Sequence, residues 1–88
     1  MDMHHIRYFL AVCETLNFTR AAEKCNVTQP ALSRAIQQLE NEVGGLLFRR
    51  ERSLTHITDL GALLRPRMMI GAWIAAMQDK MRLSSMKG

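Results

Sequence analysis

Between residues 3 and 43 the apolar positions recur at helical spacing, and the pattern breaks twice. Ile6, Phe9, Leu10 and Cys13 share one face of a first helix over residues 3–15, with Arg7 and Glu14 off that face. Asn17 is a good N-cap for a second, short helix that begins at Phe18 and runs through TRAAEKC. Its Ala21 and Ala22 are small enough to let another helix cross closely. Asn26 ends it, because Asn tolerates the left-handed conformation at a helix C-terminus. Thr28 caps a third helix, with Pro30 in the first turn, where a missing N–H costs no intrahelical bond. Gly44 and Gly45 end that helix after Val43. Two short helices joined by about three residues around Asn26-Val27 form a helix-turn-helix. Similar pairs also occur in bundles that bind no DNA.

Residues 46–58, LLFRRERSLTHIT, change character: β-branched and large apolar residues surround a charged centre. The pattern predicts two short strands, near Leu47-Phe48 and His56-Ile57, around a basic loop at 49–53. A long helix follows, capped by Thr58, with Asp59 at its positive end. Positions 60, 63, 67, 70, 74, 77 and 81 step by three and four and hold Leu60, Leu63, Arg67, Ile70, Ile74, Met77 and Met81. That is a coiled-coil seam with one charged exception. A second stripe, Leu64, Met68 and Ala75, is placed to pack back on the preceding helices. Pro66 interrupts or bends the helix, and the final SSMKG is expected to fray. A helix apolar on more than one side needs a cover. A second copy of the chain is the simplest one, and a further domain is the alternative. The predicted fold is mainly α: a winged helix-turn-helix over residues 1–58, with a three-helix core and a small β-hairpin wing, then a linker (dimerisation) helix over 59–88.

Composition adds a partner and removes several classes. The 88 residues suit one domain plus an extension, and the formal charge of +4 points to an anionic partner, most simply nucleic acid. Cys13 and Cys25 fall within apolar helical patterns, and no C-x-x-C or Cys/His spacing suits zinc. His4 and His5 lack further ligands nearby, so neither metal nor cofactor is expected. MDMHHIRYFL does not read as a secretory signal, and no apolar run approaches the roughly 20 residues that span a bilayer. A cytoplasmic protein with no membrane partner is the default. There is no glycine-rich phosphate loop and no pair of carboxylates with a pocket to hold them. The candidate nucleophiles, the two cysteines, belong to core faces, so an enzyme is not expected.

The third helix carries the most informative chemistry. On a helical wheel Leu32, Ala35, Ile36, Leu39 and Val43 form its buried stripe. Pro30, Ser33, Arg34, Gln37, Gln38 and Asn41 lie opposite, while Glu40 and Glu42 fall on the flanks. A merely solvated face mixes acids and bases; an acid-free one avoids repelling phosphates. Arg pairs with guanine O6 and N7, Gln with adenine N6 and N7, and Ser with either donor or acceptor. A major groove about 12 Å wide admits such a helix. Thr28 and Gln29 sit at the helix tip, where backbone N–H groups also meet a phosphate. Arg49, Arg50 and Arg52 form the densest positive cluster, though Glu51 lowers the field in their midst. They suit the DNA backbone or a minor groove; the alternative is a solvated hairpin tip.

Taken together, FTRAAE at 18–23, QPALSRAIQQLE at 29–40, LFRR at 47–50 and T-x-x-G at 58–61 closely resemble the N-terminal domain of the LysR-type transcriptional regulators. The resemblance runs from residue 3 to about residue 65. It implies a winged helix-turn-helix and a linker helix that dimerises, usually antiparallel. It also implies base and phosphate contacts at Gln29, Pro30, Ser33 and Arg34, flanking contacts at Thr28 and Gln37, a wing contact at Arg50, and a weaker phosphate contact at Arg20. Members often carry Gly where this chain has Arg52 and Arg where it has Ser53, so the arginine comes one step early here. The family continues into a ligand-sensing domain of roughly two hundred residues. Its absence suggests a fragment of a longer protein, and any small-molecule effector would act through that missing domain. The implied function is sequence-specific binding of double-stranded DNA by a homodimer on paired half-sites, at the nucleoid, to regulate transcription. Leu60, Leu63, Ile70, Ile74, Met77 and Met81 would pair the linker helices. The alternative is a truncated regulator that acts by protein–protein pairing through that helix.

Overall fold

The computed structural model describes residues 2–87, with side chains as far as Met81. In chain order the elements are α1 (Met3–Thr15), α2 (Phe18–Lys24), α3 (Gln29–Val43), β1 (Phe48–Glu51), β2 (Leu54–Ile57) and α4 (Asp59–Lys87). The ends of the first three helices follow local chemistry. The Asn17 side chain accepts from the Arg20 amide at 2.9 Å, and the Thr28 hydroxyl accepts from the Ala31 amide at 3.3 Å. Asn26 takes a φ of 56° in the tight turn between α2 and α3, and Gly44 a φ of 82° after α3. Asp2 adds a cap that the sequence reading passed over: its carboxylate accepts from the His4 amide at 2.8 Å, a bond that lowers the carboxyl's pKa.

The three helices enclose one core. Phe9, Val12, Ala21, Leu32 and Leu39 are fully buried, and Phe18, Ile36 and Phe48 nearly so. Each large apolar side chain so buried contributes about 1.5–3 kcal/mol. The Phe48 ring lies 5.5 Å from that of Phe9 and edge-on to that of Phe18 at 5.9 Å, so the root of the hairpin belongs to the core.

The hairpin is longer than expected. Its antiparallel register pairs Phe48 with Ile57, Arg49 with His56, Arg50 with Thr55 and Glu51 with Leu54. Arg49, Arg50 and Glu51 are therefore strand residues, not members of a basic loop at 49–53, and Leu47 precedes the strand. Pairing runs to a two-residue turn because Arg52 adopts a φ of 56°, the positive value such turns demand. Charged side chains do not oppose the pairing where both faces of the tip meet solvent.

Thr58 docks α4. Its hydroxyl accepts from the Gly61 amide at 3.1 Å, as a cap, and donates to the Leu46 carbonyl at 2.6 Å. The Thr58 amide donates to the Leu47 carbonyl at 3.0 Å. Gly61 lies so close that a Cβ there would stand 2.5 Å from the Leu47 oxygen. Beyond it the helix crosses Pro66 without interruption and stays helical through Lys87; Gly88, the end of the SSMKG stretch, lies outside the described residues. The ring costs an intrahelical bond, but Leu64 and Met68 on either side of it pack on the core and hold the helix in place. The radius of gyration, 14.4 Å, exceeds the ~12 Å of a compact chain of this length because α4 projects from the core.

Candidate nucleic-acid interface

The outer side of α3 is open to solvent. Thr28, Gln29, Pro30, Arg34, Gln37, Gln38 and Asn41 are exposed, and the first turn holds no acid. The Thr28, Gln29 and Ala31 amides at the helix start lack intrahelical acceptors, Pro30 having no N–H, and they carry the positive end of the dipole. The Thr28 cap engages the Ala31 amide, and the dipole still favours an anion at the tip. Ser33 departs from the expected pattern: it is half-buried, and its hydroxyl is shielded and without a hydrogen-bond partner among the described residues. It lines a cleft of about 540 Å³ between α3 and the wing, together with Phe18, Gln37, Glu40, Phe48 and Arg50.

The wing places its arginines in two settings. The Arg50 guanidinium lies 4.0 Å from the centroid of the Phe18 ring, a cation–π contact that orients its fork. Arg52 occupies the exposed turn. Both line a smaller recess of about 170 Å³ with Asn17 and Thr19 at the start of α2, whose next residue, Arg20, is exposed. The fold thus gathers Arg50 and Arg52 at the beginning of α2, the helix that carries Arg20, and Gln37 and Ser33 around the adjacent cleft. Glu40 has a task that its place on the helix flank did not disclose: it accepts from the Leu47 amide at 2.7 Å.

The projecting part of α4 exposes Leu63, Ile70, Ile74, Met77 and Met81. Leu60, the first residue of the expected seam, packs instead against the core and sits over Gly45. Met69 and Trp73 are exposed beside the seam, Trp73 to 64%. The sequence reading missed them, although a tryptophan next to a seam position was a visible signal.

Burial pushes the Cys13 thiol up to about 11, so it stays protonated at neutral pH, and Cys25 is buried as well. Among the described residues no group of three His, Cys, Asp or Glu side chains is placed to hold a metal, and no helix is long and apolar enough to cross a membrane.

A helix-turn-helix with a two-stranded wing, a third helix whose outer face carries no acid and arginines at the wing define a winged-helix domain of the nucleic-acid-binding class. Residues 3–62 match the family described as bacterial regulatory helix-turn-helix protein, lysR family. The chain belongs to that family, and this segment is its DNA-binding domain. It is 54% identical over 61 residues to the HTH-type transcriptional regulator CatR of Pseudomonas putida, a match covering 69% of this chain and 21% of that protein. Over the same length it is 49% identical to the Hca operon transcriptional activator HcaR of Escherichia coli, covering 69% and 21%. Its fold is similar to that of the BenM DNA-binding domain in complex with catB site 1 DNA, with a TM-score of 0.92, 34% identity and coverage of 100% and 99%. For the CbnR DNA-binding domain in complex with DNA the values are 0.88, 28%, 97% and 99%. The chain spans about a fifth of the length of these two curated relatives (21%). Both relatives are transcriptional regulators by name, and the family is described as one of regulatory helix-turn-helix proteins.

Proposed function

We propose that the chain binds double-stranded DNA sequence-specifically as a homodimer, with α3 in the major groove of each half-site. The exposed, acid-free face of α3 carries the reading. Gln29 and Arg34 face the bases, Thr28 and Pro30 set the tip against the backbone, and Gln37 flanks them. Ser33 supplies its unpaired hydroxyl from the cleft. Arg50 and Arg52 meet phosphate or the minor groove from the wing, and Arg20 meets phosphate from α2. The apolar face of α4 pairs with its copy through Leu63, Ile70, Ile74, Met77 and Met81, with Trp73 at the margin and Leu60 closing the near end. In the whole protein this domain would place a regulator on chromosomal DNA, at the nucleoid, under an effector sensed elsewhere in the chain.

Selection of bound duplexes from a random pool tests the reading. It should enrich paired half-sites with a fixed spacing near one or more helical turns. A pool that stays random would overturn it. The same exposed α4 face supports a second reading, a partner-pairing module that recruits relatives without reading DNA; binding to a family linker helix with no enrichment from the pool would favour it.

A further inference from the structure

We propose that Glu40 is a positioning residue for DNA binding: its carboxylate grips the root of the wing and so places Arg50 relative to the recognition helix. The proposal rests on the reading of Arg50 as a phosphate contact. Glu40 Oε2 accepts from the Leu47 amide at 2.7 Å and, more weakly, from the Phe48 amide at 3.5 Å. Leu47 lies one residue before β1, so its amide has no partner across the hairpin, and its side chain is fully buried. A buried N–H needs an acceptor, and a carboxylate makes a bond about twice as strong as a neutral one. The carbonyl of the same residue is held from the other side by the Thr58 amide at 3.0 Å. The root of the wing is therefore clamped between α3 and the start of α4.

From that root the geometry reaches the DNA-facing side in two steps. Phe48 and Arg50 point to the same side of the strand. The Phe48 ring meets Phe18 edge-on, and the Arg50 guanidinium lies over the same Phe18 ring. Glu40 also lines the cleft that holds Ser33, Gln37 and Arg50. A carboxylate in a cleft facing a polyanion opposes binding through its charge, so its presence there is explained by the amides it holds.

The test measures affinity for a fixed mixed-sequence duplex across salt concentrations, because a phosphate contact acts on any sequence. Arg50→Ala should bind more weakly and with a salt slope shallower by about one. Glu40→Ala, although it removes a negative charge, should lose about tenfold, in the range of one lost contact. Glu40→Gln keeps an acceptor oxygen and should bind at least as tightly as the unmodified chain. Glu40→Ala combined with Arg50→Ala should be no weaker than the weaker single variant. Where Glu40→Ala does not fold, Glu40→Asp withdraws the acceptor by one methylene yet keeps the charge, and it should weaken binding in the same Arg50-dependent way. Full affinity in Glu40→Ala or Glu40→Asp overturns the proposal, as do losses that add in the double variant. Full affinity in Arg50→Ala overturns the reading of Arg50 and the proposal with it, a result distinguishable because that variant alone reports it.

Discussion

Arg34 stands in the middle of the exposed face of α3, flanked by Pro30, Gln37 and Gln38 and one turn from the helix tip. On the proposed reading, a guanidinium there would address a guanine edge with two parallel bonds. Arg34→Ala should therefore cost about 1–3 kcal/mol and relax preference at one base position. Titration against duplexes that differ by single bases checks this; unchanged affinity for the preferred duplex would remove Arg34 from base reading. Arg52 shows a different balance. Its φ of 56° is uncomfortable for a residue with a Cβ. Arg52→Gly should stabilise the domain by about 1 kcal/mol, the strain relieved net of unfolded-state entropy, and so raise its melting temperature. The same change should weaken DNA binding if the guanidinium meets phosphate. Both proposed roles follow from residue type; the strain at Arg52 was not legible in Glu51-Arg52-Ser53 itself, and only the Gly that family members often carry at that position pointed to it.

At the scale of elements, α1 to α3 were legible almost to the residue, since Asn17, Thr28 and Gly44 cap by contacts within four positions. The wing was not. Its strands depend on each other and on the burial of Phe48 against Phe9 of α1 and Phe18 of α2, which are distant in sequence. The T-x-x-G segment was legible as a motif and a cap, yet its reason is a close approach that only the fold reveals. A Cβ at Gly61 would meet the Leu47 carbonyl at 2.5 Å and Ile57 at 2.7 Å. The near atom is backbone, so relief requires α4 to move off the wing. Gly61→Ala should destabilise the domain by about 1–3 kcal/mol, as overpacking does, and a urea titration measures it. A midpoint equal to that of the unmodified chain would show that the junction has slack.

At the scale of the whole molecule, α4 carries large apolar side chains in the open along its outer length, from Leu63 to Met81. A second copy that covers them would fix the distance between two recognition helices, so dimerisation and half-site spacing belong to one device. Ile74→Lys places a charge in the middle of that face and should yield monomers in sedimentation. Affinity for a paired site should then fall to that of a single half-site. Dimers that persist would mean that another part of the face, such as Met69 and Trp73, carries the contact.

The seven-position spacing marked α4 as a helix with a pairing face, because periodicity is a property of sequence alone. The second stripe sends Leu64 and Met68 to the core as its spacing predicts, whereas only the fold decided that Leu60 leaves the seam for the core and that Trp73 beside the seam stays open. Likewise the residue types on α3 determined that the helix suits DNA, since hydrogen-bond capacity and charge travel with each side chain. The sequence also placed Glu40 on the flank of that helix, but not against the Leu47 amide. Helical spacing specifies neighbours within one element; neighbours across elements are set by how the buried faces pack. That packing brought Arg50 onto Phe18 and the root of the wing between α3 and α4.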